Sequence, residues 1–180
     1  MGERNKGKTI AIAILAAALL FICVVMFSYI SSPPDREAEG FRGMAWASNI
    51  RDLTDLKLIG EDGDHRFYVR EGETVEIHGA VADKVVYGFY RGRFYNAMVY
   101  FTSMKSFDRV RNQLAREHGS PFRPDDSGQK FFWASGKVNL LLTYDDSLNQ
   151  GRISYFYQPI ENEIEQDEKA REERPGQPRS

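Results

Sequence analysis

Hydrophobic positions along the chain fall into three regimes. Thr9 to Ile30 is an unbroken, uncharged run of 22 residues with neither Pro nor Gly. Residues 41 to 160 mix aromatic, β-branched and charged positions, and hold 20 of the 23 aromatic residues. Beyond Ile160 only Ile164 and Ala170 are apolar among a crowd of acids and bases. The first regime has the length of a membrane-crossing helix, which needs about 20 apolar residues. The second has the material for one core. The third has little to bury, and so predicts a disordered tail or a solvated helix.

Periodicity within the second regime predicts the elements. Ser48 stands as the cap of a short helix through Ile50, Leu53 and Leu56. Strands follow at Leu58-Ile59, at His65 to Arg70 and at Thr74 to Ile77. Val85 to Tyr90 and Arg93 to Thr102 read as a hairpin, because a two-residue link containing Gly joins two aromatic-rich runs. Ser106 to His118 carries Phe107, Val110 and Leu114 on one stripe and meets Gly119 as a stop, which predicts a second helix. Lys130 to Trp133, Val138 to Tyr144 and Arg152 to Tyr157 complete the strands. This order predicts an α+β architecture: a transmembrane helix, then a two-layer domain of two tandem helix-plus-three-strand antiparallel units, then a disordered or helical tail. The expected divisions are 1–8 as a cytoplasmic N-terminus, 9–30 as the span, 31–40 as a tether, 41–160 as the domain and 161–180 as the tail.

Charge refines the placement. Arg4, Lys6 and Lys8 precede the apolar run against only Glu3, which favours a cytoplasmic N-terminus and an extracytoplasmic domain. The chain is then a single-pass protein of a bacterial inner membrane with its domain in the periplasm. A cleaved signal peptide and a lipid-modified Cys23 are the rival readings. The exit Ser28 to Pro34 is a poor cleavage site, and Ile22 is bulky where a lipidation site needs a small residue. Cys23, the lone cysteine, is a small apolar residue inside the span and leaves no disulfide framework. The net charge of −2 provides no general attraction to nucleic acid.

Candidate chemistry is thin. Glu61-Asp62-Gly63-Asp64 reads as a solvated turn, since its spacing does not fit a calcium loop. His65, His78 and His118 lie on separate elements without paired ligand spacing, so no metal or cofactor is expected. No strand–Gly-x-Ser-x-Gly–helix signature occurs. Tyr87, Phe89, Tyr90, Arg91, Arg93, Phe94 and Tyr95 form the one conspicuous cluster. Strands expose alternate side chains, and Tyr and Arg are enriched in interface cores. Some of these residues could form a partner-binding surface for an envelope protein or a glycan, although ordinary cross-strand packing is the favoured explanation. The cluster departs from the RNA-stacking strand pattern at Arg93 and Phe94, and no nucleic-acid partner is expected.

Phe41-Arg42-Gly43-Met44-Ala45-Trp46, the acidic turn at 61–64 and Tyr87 to Tyr95 resemble a family of uncharacterised bacterial proteins. In that family Phe-Arg-Gly-x-x-Trp-Gly opens an extracytoplasmic domain behind a signal or anchor; Ala47 replaces the last Gly here. The element order is more distantly similar to small outer-membrane assembly lipoproteins and β-lactamase-inhibitor proteins. That likeness implies protein binding without an active site. The expected function is a non-enzymatic binding or scaffold module at the cell envelope. An envelope hydrolase or glycan-processing enzyme with dispersed catalytic residues is the alternative, and a ligand sensor a weaker third.

Overall fold

Strict alternation builds the longest strands. Val138, Leu140, Leu142 and Tyr144 are buried while Asn139, Leu141 and Thr143 between them are half-buried, so Val138–Asp145 presents one face to a core. The computed structural model describes residues 39–124 and 128–173. Within them lie β1 (Gly40–Phe41), β2 (Met44–Ala45), β3 (Leu56–Asp62), β4 (His65–Arg70), β5 (Val75–Ile77), β6 (Ala80–Ala82), β7 (Lys84–Tyr90) and β8 (Arg93–Thr102). Then come α1 (Met104–His118), β9 (Lys130–Ser135), β10 (Val138–Asp145), β11 (Gln150–Tyr157) and α2 (Gln158–Glu172).

Seven strands form one antiparallel sheet in the order β3-β4-β7-β8-β11-β10-β9. α1 carries the chain from β8 to β9, and the second meander folds back so that β11 pairs with β8. α1 buries Phe107, Val110 and Leu114. They join the sheet's inward rows, among them Val99, Phe101, Leu140, Leu142 and Ile153, in one core. Ser103 caps α1 by accepting from the Ser106 N–H, three residues before the predicted cap.

The predicted pair of helix-plus-three-strand units is corrected to this single sheet. The first expected helix is only a 3-10 turn at Ile50–Asp52, capped by Asn49. Its flanks are claimed by the hairpin: Ala47 N–H donates to Phe94 O, Ile50 N–H to Gly92 O, and Phe94 N–H to Ser48 O. A segment this short gains too few helical bonds to nucleate against such pairing. The first half instead supplies four strands to the main sheet and two small hairpins beside it.

Membrane placement is corrected as well. The expected span Thr9–Ile30 lies outside the described residues, as do the tether up to residue 38 and the last residues of the tail. Among the described residues no helix is long and apolar enough to cross a membrane. α1 and α2 have 15 residues each and are rich in charge, whereas a crossing takes about 20 apolar ones. The described chain thus lends no support to a single-pass, inner-membrane assignment with a periplasmic domain.

Candidate functional site

The hairpin β7–β8 lies at the centre of the sheet, which decides the fate of the conspicuous cluster. Tyr87, Phe89 and Phe94 are fully buried. Trp46 stacks on Phe94 at 4.7 Å, and Phe41 meets Tyr155 at 5.1 Å, so the Phe41–Trp46 segment closes this end of the core. Tyr87 donates to Glu73 Oε1 at 2.7 Å, and burial pushes its phenol far above the usual range. These three aromatics pack inside and offer no surface to a partner.

A β-bulge separates the rest. The register slips between Gly88 and Phe89, so Phe89 pairs with Phe94 while Gly88 pairs with Asn96. Tyr95 is the extra residue and emerges on the opposite face with Tyr90. There α2 covers both, burying Ile160 against them with Ile164 alongside. Tyr90 donates to Asp167 at 2.6 Å, and the Tyr95 hydroxyl lies 3.0 Å from His65 Nδ1. Burial pushes each of these phenols up to about 12.

The two arginines of the cluster hold this helix down. Arg91 and Gly92 both have positive φ, 47° and 76°, the geometry of a type I′ turn. Arg91 stands where Asn or Asp is favoured, and its guanidinium reaches Asp64 at 3.1 Å and Asp167 at 2.7 Å. Arg93 donates to Glu163 at 2.6 Å, and Arg171 to Asp64 at 2.7 Å. The Arg171 hydrogen bond draws the Asp64 carboxyl below its usual range. One corner of the acidic turn is therefore part of a docking network. The expected exposed surface at Tyr87–Tyr95 is corrected accordingly: its aromatics are buried, and its arginines are engaged by α2.

Further along the same face lies a surface that neither α1 nor α2 covers, although Val86 and Ser154 within it are buried. Cross-strand registers align Val86, Met98, Ser154, Leu141 and Phe132 in one row over β7, β8, β11, β10 and β9. The next row outward is Lys84, Tyr100, Arg152, Thr143 and Lys130. Met98, Leu141 and Phe132 are half-buried, and Lys84 and Lys130 are exposed. At the centre, Ser154 is 1 % exposed. Neither Ser154 Oγ nor Arg152 Nε has a hydrogen-bond partner among the described residues. Compared with known proteins, the chain matches no family model, no curated protein and no solved structure. The chemistry of the site rests on this geometry alone.

A second polar cluster sits at the other side of the core. The β5–β6 turn places His78 at φ 45°, with Nδ1 3.0 Å from Glu117 and Nε2 2.7 Å from the Tyr155 hydroxyl. A neutral ring protonated at Nδ1 satisfies both contacts, donating to the carboxylate and accepting from the phenol. Burial lowers the His78 pKa below 6.5, and neighbouring His118 lowers it further against the pull of Glu117. The unfolded chain then takes up a proton below about pH 6.5 that the folded chain refuses. Stability is complete above that pH and falls as pH drops toward the folded pKa. His78→Gln is expected to flatten the urea-midpoint profile between about pH 5 and pH 7 relative to the parent. Parallel profiles for the two proteins would contradict the assignment.

Proposed function

We propose that the domain is a non-enzymatic binding or scaffold module whose recognition surface is the sheet face beside α2 that no described helix covers. The observation that carries this reading is the pair of polar atoms without hydrogen-bond partners, Ser154 Oγ at the centre of the apolar row and Arg152 Nε beside it in the next row outward. A buried donor without a partner costs about 1–3 kcal/mol. A partner that brings acceptors to this row recovers that penalty while covering Met98 and Leu141. Recognition by apolar area around a few fixed polar groups is the ordinary anatomy of a protein interface.

A photo-crosslinking residue at Leu141 tests the reading in the native host. The expected result is one protein, identified by mass spectrometry and absent when the same label is placed at Gln113 on α1. Purified and mixed with the full chain, that protein should bind at least ten-fold more weakly to Met98→Glu, whose fold is checked by circular dichroism. Identical capture from both positions, or unchanged binding to the variant, would refute the role of this face.

A further inference from the structure

α2 demonstrates what this face holds. It begins beside β10, where Asn139 donates to Glu161, and ends beside the β3–β4 turn, where Arg171 reaches Asp64. From β10 to β4 is four strand spacings, about 19 Å at roughly 4.8 Å each. A 15-residue helix is about 22 Å long, so α2 lies across the strands. Its seat combines an apolar ridge, Ile160 and Ile164 on Tyr90 and Tyr95, with carboxylates, Glu163 and Asp167, on arginines of the sheet.

The uncovered rows repeat that chemistry. Val86 lies four residues from Tyr90 along β7, about 13 Å, and Leu141 two residues from Asn139 along β10, about 7 Å, which together bracket the 8–10 Å at which helices pack side by side. Met98 and Leu141 stand two strands apart in the apolar row, about 9.6 Å. Lys84 and Arg152 stand at the same two-strand interval in the row outside it. Residues i and i+7 of an α-helix are about 10.5 Å apart on one side. A helix with a carboxylate every seventh residue therefore meets these cations in register, with its apolar ridge on Met98 and Leu141.

We propose that this face docks an acidic amphipathic helix of a partner protein, laid across the strands beside α2. This rests on the binding role proposed above and names the class of partner. The carboxylates supply acceptors to Arg152, and the ridge covers the half-buried row. An anionic lipid surface would offer negative charge too, but without the seven-residue interval.

The probe is a synthetic 18-residue helical peptide with a leucine ridge and glutamates seven residues apart, titrated by fluorescence anisotropy into the full chain. Binding should weaken at least ten-fold when its glutamates become glutamine, and likewise against Lys84→Glu/Arg152→Glu. A peptide carrying lysine at those positions should prefer the charge-reversed protein to the parent. Arg152→Gln, which keeps a polar side chain, should give an intermediate loss. Equal binding of the glutamate and glutamine peptides overturns the proposal, as does binding to phosphatidylglycerol vesicles with none to the peptide. Should the peptides fail while Leu141 still captures a protein that Met98→Glu releases, the partner class alone is wrong. Loss of both results removes the binding role as well.

Discussion

Replacing Gly151 with alanine is expected to destabilise the domain by about 3 kcal/mol, the upper end of what overpacking costs in a tight core. Gly151 pairs directly with Phe101 across β11 and β8. A β-carbon there would stand 2.1 Å from the Phe101 ring, which lies over the glycine backbone and is itself fully buried. The ring cannot move aside without opening the core shared with α1. Phe101→Ala should cost about 4 kcal/mol by leaving a cavity. Combined, the two changes should cost at least about 1 kcal/mol less than their sum, because the new methyl then occupies vacated space. Urea unfolding of the four proteins measures the cycle. Strict additivity would show that the glycine is not there to admit the ring.

Ile160→Ala is expected to cost about 2–3 kcal/mol, nearly as much as a core truncation, although it changes the first turn of a charged C-terminal helix. Ile160 is 2 % exposed and is the apolar anchor of α2 on Tyr90 and Tyr95. The ion pairs around it are half-exposed and each contributes only about 0–1 kcal/mol. The double change Glu163→Gln/Asp167→Asn should therefore destabilise less than Ile160→Ala, and its effect should shrink in 0.5 M salt, where the Debye length is about 4 Å and exposed pairs are strongly screened. Hydrogen exchange gives the local readout: Ile160→Ala should speed exchange throughout α2 while leaving β10 protected. If the charge variant proved the more damaging, electrostatics and not burial would hold the helix.

Much of the fold is legible without tertiary information. β4 and β8 fall on their predicted bounds, and β7, β10 and the second predicted helix agree within about two residues, because alternation and the 3.6-residue stripe are local properties. The first predicted helix failed where a long-range partner intervened: the hairpin at Gly92 and Phe94 binds the backbone of Ala47 to Ile50. α2 was missed as a packed element because its one fully buried anchor is Ile160, and the charges at Glu163, Asp167 and Arg171 find partners 70 or more residues away. The same distance hid the candidate surface, since its rows are drawn from five strands.

By itself the sequence did not determine β1, β2, β6 or the bounds of β3. It did determine the longer strands β4, β7, β8, β10 and β11, where α1 carries its apolar stripe and stops at Gly119, and that aromatics concentrate in one domain. These follow from side-chain periodicity and backbone preference, which act over a few residues. Only the tertiary structure decided which side of each strand stays open. A bulge at Gly88 and Phe89 sends Phe94 inward and Tyr95 outward, and α2 then covers one end of that outer face but not the other. Strand register and helix docking are set by the whole sheet at once, so no local pattern could specify them.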